Sequence, residues 1–256
     1  MKKHFPLFKD GRILKKESLW DIRDYAYGGL QLFYQDYTDG ILKGCNVQVA
    51  EKYLIIGKGL MKYKNFIYIL SEEVKIPYSA TEQWVSLKAV FQEMREKTDC
   101  LEYEVDFCID SNIERKENEF ELCRFYLRKG SQLRDTYRDF YDMSTEYDTI
   151  NLIYSSIAGI GEPSFHPELL LTFSQELWTG KRDEIDSNFC LQVWNMTGYV
   201  SRKAVAAYLS CKEGGTDVQE ICAFDNEKLY WSMEAILRTS DGRKKRKNEK
   251  RRIIVE

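Results

Sequence analysis

The chain has 256 residues, of which 43% are apolar and 31% charged, usage that supports a packed core and excludes a disordered chain. Its formal net charge is −3, but residues 241–256 hold 8 Lys/Arg against 3 Asp/Glu, which leaves the rest with 30 basic and 38 acidic residues, a net −8. No stretch approaches the roughly 18 apolar residues of a membrane span, and Met1-Lys2-Lys3-His4-Phe5-Pro6 runs straight into charged sequence without the apolar region of a secretory leader. The expected location is therefore cytoplasmic, or inside a particle assembled there.

Seven cysteines, at 45, 100, 108, 123, 190, 211 and 222, are odd in number and form no C-x-x-C pair, so neither a disulfide framework nor a zinc site is signalled. They read as reduced, mostly buried thiols. The 17 Tyr and 13 Phe suit sheet surfaces and protein interfaces.

In chain order, Leu19, Trp20, Ile22, Tyr25 and Ala26 recur with a period near 3.6, and Gly28-Gly29 follows, which predicts a short helix, a break, and an uncertain second piece over Leu30–Tyr34 within an N-terminal segment 1–35. From Gly40 to Tyr78 short apolar runs (Cys45–Ala50, Tyr53–Ile56, Leu60–Tyr63, Phe66–Leu70) alternate with turn residues, among them Gly40, Gly44, Gly57 and Gly59, and predict a compact antiparallel meander. Trp84–Phe91 and Leu101–Ile109 alternate strictly, and Phe120–Leu127 is apolar on both faces, as a central strand would be. Residues 36–135 thus form a β-rich module.

Beyond residue 140 the periodicity is helical. Pro167 opens a helix with Leu169, Leu170, Phe173 and Leu177 on one face and Gly180 as its stop; Ser201 caps another that ends at Gly214-Gly215; Asp225 or Asn226 caps a last one. The reading is α+β: a short N-terminal helix, an antiparallel β module with a β-rich middle, an all-helical domain over 140–240, and a basic tail, 241–256.

Chemistry is sparse. Of two histidines, His4 lies at the N-terminus and His166 stands directly before Pro167, where a helix cap is a simpler role than a general base. Gly57-Lys58-Gly59 and Gly159-Ile160-Gly161-Glu162 lack the strand-to-helix setting of a phosphate loop. Glu102, Glu104, Asp106 and Asp110 alternate with apolar residues on one face, about 6–7 Å apart for adjacent members. That face is read as solvated, facing Lys88 or Arg124, rather than as a metal or glycosidase site. No catalytic residue, cofactor or metal is assigned. Arg243, Lys244, Lys245, Arg246, Lys247, Lys250, Arg251 and Arg252 read either as a solvated, disordered terminus or as the candidate contacts to a partner protein or to nucleic-acid phosphates.

The stretch from Asp36-Tyr37-Thr38-Asp39-Gly40-Ile41-Leu42-Lys43-Gly44-Cys45-Asn46-Val47 through Leu54-Ile55-Ile56-Gly57-Lys58-Gly59 and Phe66-Ile67-Tyr68-Ile69-Leu70 resembles a small β module of phage tails and of contractile, phage-tail-like particles of Gram-positive bacteria. Ser164-Phe165-His166-Pro167-Glu168-Leu169 through Phe173, and Val200-Ser201-Arg202 through Leu209, resemble the helical half that follows it. Lys58 stands where proline often precedes the second glycine, and Asn65-Phe66 replaces an Asn-Gly turn, so a looser hairpin is expected there. The resemblance implies a structural protein of the baseplate or its periphery, working with other tail proteins as an oligomer or complex subunit, and implies no catalytic residues. The alternative is a nucleic-acid-binding accessory protein acting through the tail; a third reading, an enzyme built on Glu102 and Glu104, has no substrate to go with it.

Overall fold

The computed structural model describes residues 6, 10–11, 13, 15–196 and 200–240. Helix α1 (Lys16–Phe33) runs through Gly28-Gly29 without interruption, where the sequence predicts a break. A glycine pair weakens a helix by about 1 kcal/mol per residue without ending it, and docking of the last turn holds the helix together past that point.

Six strands follow: β1 (Gly40–Gly44), β2 (Val47–Val49), β3 (Tyr53–Ile56), β4 (Gly59–Tyr63), β5 (Phe66–Leu70) and β6 (Val74–Pro77). They form two interleaved three-stranded antiparallel sheets, β1-β4-β5 and β2-β3-β6, and not the single meander expected. Positive φ at Gly44 (68°) and Cys45 (56°) swings the chain out of the first sheet before β2, and the β3–β4 link crosses back. Cys45 N–H to Lys58 O (3.1 Å) and Gly57 N–H to Asn46 O (2.9 Å) stitch this crossing. Gly44 and Gly59 are cross-strand partners here, and a Cβ on either would lie 2.2 Å from Lys58 O or 2.5 Å from Lys43 O respectively. The β4–β5 hairpin is tight, against expectation: its turn is Lys64-Asn65, both in the left-handed region (φ 46° and 64°), with Tyr63 paired to Phe66.

A further antiparallel sheet has the order β10-β7-β11, from β7 (Trp84–Phe91), β10 (Val105–Asp110) and β11 (Glu119–Tyr126), with a short ribbon of β8 (Arg95–Glu96) and β9 (Leu101–Glu102) beside it. The central strand is β7, where the sequence suggested Phe120–Leu127. The apolar run of β11 does not mark two apolar faces: its register on β7 shifts between Glu121 and Cys123, so that Phe120, Cys123 and Phe125 lie opposite Ala89, Leu87 and Val85 on one face, while segment 149–156 covers the outer edge, with Arg124 and Asn151 exchanging backbone bonds of 3.0 and 2.7 Å and Ser156 N–H donating to Glu121 O (2.8 Å).

After a 3-10 turn, Tyr141–Ser144, come α2 (Pro167–Thr179), α3 (Glu184–Asn195), α4 (Arg202–Lys212), α5 (Val218–Cys222) and α6 (Asn226–Ser240). The caps follow the sequence: His166 Nδ1 accepts from Glu168 N–H, Ser201 Oγ from Ala204 N–H, and Asp225 from Lys228 N–H. Helix α3, held by a reciprocal Asp183–Asp186 capping box, and the short α5 were not anticipated. One hydrophobic cluster runs from Ile41 and Leu54 through Leu87, Phe125 and Ile153 to Phe173, Leu209 and Tyr230.

Candidate functional site: a projecting apolar helix

The site begins with a buried lysine. Lys62, on the central strand β4, is 5% exposed and donates to Tyr34 O (2.9 Å), Gln35 O (3.0 Å) and Tyr37 O (2.6 Å). Its three N–H groups are thus used on carbonyls at the C-terminal end of α1, where the helix dipole is negative. Leu30, Tyr34 and Tyr37 pack there on a small cluster of Leu42, Ile67 and Ala158. The end of α1 is pinned to the β module.

The rest of the helix is not covered. No residue of α1 is buried, although Leu19, Trp20, Ile22, Tyr27, Leu32 and Phe33 all lie on it; Leu32 is 68% and Phe33 71% exposed. At about 100° per residue, Leu32, Ile22, Phe33, Ala26, Leu19 and Leu30 fill one broad arc, Arg23 and Lys16 separate it from Tyr27 and Trp20, and Glu17, Asp21 and Asp24 fall on the remaining side. An apolar arc wider than the stripe that one packing surface needs, left in water, is an interaction surface.

A second apolar patch lies on the helical half. Trp178 of α2 and Trp194 of α3 meet at 4.8 Å, Trp194 donates to Ser174 Oγ (2.9 Å), and the Arg182 guanidinium stacks over Trp178 at 4.0 Å. Leu191 shares the flank of Trp194 by its three-residue spacing and is exposed.

The acidic residues singled out in the sequence do not converge. Glu102 pairs with Lys97 (2.5 Å), Glu104 lies 3.9 Å from Arg95, Asp106 accepts from Gln92 (2.7 Å), and Asp110 accepts from buried Lys88 (3.3 Å). Lys88 also binds Glu119 (2.8 Å) and Glu114 O (2.7 Å), whereas Arg124 turns to Glu121 instead of the acidic face. Among the described residues no three His, Cys, Asp or Glu side chains come together as a metal site would require. Burial pushes the His166 ring down to about 4, so it is neutral and serves as a cap acceptor. Cys45, Cys123, Cys190 and Cys222 are buried and Cys100, Cys108 and Cys211 exposed, all free; burial pushes the Cys45 thiol up to about 12 and Cys190 to about 11, away from thiolate chemistry. His4 and the basic residues Arg243, Lys244, Lys245, Arg246, Lys247, Lys250, Arg251 and Arg252 lie outside the described residues, so the nucleic-acid alternative gains no structural observation. No helix among the described residues is long and apolar enough to cross a membrane.

The described residues define an α+β protein whose distinctive feature is an anchored, uncovered helix. No protein-family model matches the chain and no curated protein matches it. Similar solved structures include a crystal structure of TssK (9% identity over 93% of this chain and 69% of that one, TM-score 0.44). Another is the TssK-TssF-TssG baseplate subcomplex of the type VI secretion system (9%, 92% and 99%, TM-score 0.43). A third is the baseplate complex from that system (10%, 93% and 70%, TM-score 0.42). Similarity at this level passes neither function nor partners from those proteins to this chain.

Proposed function

We propose that this chain is a structural subunit of a phage tail or phage-tail-like contractile particle, placed in the baseplate or its periphery and acting through protein surfaces. The observation that carries the assembly role is α1: its end is pinned by Lys62, and none of its residues is buried despite its broad apolar arc. Exposing that much apolar surface has no benefit to a solitary chain, and a partner that covers it recovers about 25 cal/mol per Å². The contractile-particle setting rests on the resemblance carried by residues 36–70. The glycine-dependent close contact at Gly44 and Gly59 supports the compact-platform part of that resemblance.

The test is particle incorporation. The tagged chain is produced in cells that make a contractile particle, the particles are purified by sedimentation, and their proteins are identified by mass spectrometry. Stoichiometric recovery with baseplate proteins is the expected result; a chain that stays wholly in the supernatant overturns the reading.

A further inference from the structure

We propose that helix α1 and the turn after it, residues 16–37, form a releasable clamp: they lift off the sheet β1-β4-β5 as one unit, about a hinge before Thr38, while the rest of the chain stays folded. That sheet has two apolar faces. Ile41, Met61, Tyr63 and Tyr68 pack in the main core, whereas Leu42, Leu60 and Ile67 belong to a separate small cluster with Ala158. Along β4, Leu60 and Lys62 alternate with Met61 and Tyr63, and their cross-strand partners Ile69 and Ile67 carry this outer face onto β5. The foot of the clamp, Leu30, Tyr34 and Tyr37, covers the outer face. The cover is incomplete, since Ile69 is 60% exposed.

The cover is also thin: α2 buries Leu169, Leu170, Phe173 and Leu177, whereas α1 buries no residue. The charge beneath it favours release as well as docking. Lys62 is held by three neutral carbonyls, so the gain from its bonds is offset by the water its ammonium loses, and opening restores that water. The chain beyond the foot is fixed independently. Thr38 N–H donates to Gly159 O (2.8 Å), Gly159 N–H to Thr38 Oγ (3.1 Å), Ile41 N–H to Ser156 O (2.8 Å) and Lys64 N–H to the Asp39 carboxylate (3.0 Å). The bonds that opening breaks, those of Lys62 and that from Gly161 N–H to Asp36 O (3.2 Å), all lie before Thr38. Release uncovers Leu42, Leu60 and Ile67 beside the exposed Ile69, and turns a half-covered face into a continuous apolar one.

The release needs no particle, so it and the proposed function fail separately. Native-state hydrogen exchange of the full chain across low urea should show the amides of Leu30, Gln31, Leu32 and Phe33 exchanging through one shared opening. That exchange should be at least about a hundredfold faster than at Leu87 and Ala89 in β7, with a shallower urea dependence, because the foot exposes less surface than the whole chain. In the variant Ile67→Cys, a thiol reagent should reach position 67 at least about a hundredfold faster than buried Cys123 and Cys190, but more slowly than exposed Cys100, Cys108 and Cys211. Adding Tyr34→Ala, which thins the foot, should speed labelling at position 67 at least about tenfold. Helix amides that open only with β7, at the same urea dependence, overturn the release, because the foot then opens only with the whole fold. Fast helix amides above a position 67 as slow as Cys123 also overturn it, because α1 then frays over a foot that stays shut. Labelling at position 67 as fast as at Cys100 means that the substitution itself has opened the foot, and exchange in the parent chain then decides.

Discussion

Lys62 and His166 are both polar groups whose roles are set by what surrounds them. The Lys62 ammonium gathers the carbonyls of Tyr34, Gln35 and Tyr37 at the foot of α1 into one buried cluster. Replacing it with an apolar chain of similar length, Lys62→Met, withdraws a charged donor from all three acceptors and should cost about 2–3 kcal/mol, measured by urea denaturation. Hydrogen exchange should quicken across α1 more than in β7, because only the helix loses its anchor. His166 makes a pH prediction. Its ordinary value is 6.5 and burial lowers it to about 4, so the unfolded chain binds more protons between those values. The stability contributed by the neutral ring is complete above pH 6.5 and is lost as pH falls toward 4, by up to roughly 3 kcal/mol at about 1.4 kcal/mol per unit. In the variant His166→Asn, which keeps a cap acceptor and has no titrating ring, the slope of stability against pH over that window should be shallower.

Glycine acts in opposite senses in two elements. In α1, Gly28 has ordinary helical geometry and open space about its Cα, so Gly28→Ala should stabilise the helix by about 1 kcal/mol. In β4, Gly59 would set a Cβ against Cys45 N and Lys43 O at 2.5 Å, and Gly59→Ala should destabilise by several-fold more than Gly28→Ala gains, on the order of 3 kcal/mol. Thermal unfolding of the two variants decides both. The elements themselves were largely legible: β3 and β5 begin and end with their apolar runs and β7 with its alternation, and α2, α4 and α6 begin at Pro167, after Ser201 and after Asp225, because cap and pleat chemistry is local. Strand pairing was not, since the crossing between the two small sheets depends on Cys45 meeting Lys58 across the fold. Helix α3 was hidden in Lys181-Arg182-Asp183-Glu184, which reads as a charged loop before the stripe Phe189, Cys190 and Val193 begins. The α1 face was visible as periodicity, but a period says that a face is apolar and not what covers it. Lys62 was invisible for a similar reason: one lysine in a strand reads as solvated until its three acceptors are in place.

At the scale of the molecule, segment 149–165 decides how the β module and the helices behave as mechanical units. Toward the sheets, Ile41 N–H donates to Ser156 O (2.8 Å), Ala158 N–H to Ile41 O (3.0 Å), and Ser155 Oγ to Leu122 O (2.6 Å). Toward the helices, Asn226 Nδ2 donates to Ile153 O (2.9 Å), Tyr154 OH to Glu227 (2.7 Å), and Ser164 Oγ to Val200 O (2.5 Å). Arg202, buried on α4, ties that helix to the turn between α5 and α6 with bonds to Cys222 O (2.9 Å), Asn226 Oδ1 (2.9 Å) and Phe224 O, and reaches Pro163 O of the segment at 3.5 Å. A segment whose hydrogen bonds and apolar side chains are divided between both halves cannot be released from one without loosening the other. Unfolding should therefore be a single transition: the urea midpoints reported by far-ultraviolet dichroism, which weights the helices, and by exchange of the β7 amides should coincide. The sharper form uses one deletion in each half. Leu170→Ala in α2 and Leu87→Ala in β7 each empty a fully buried site and should each cost about 2–5 kcal/mol. If the halves are one cooperative unit, each lowers the midpoint seen by both probes equally. If Leu170→Ala lowers only the helical midpoint and leaves β7 protected, the shared segment does not couple them.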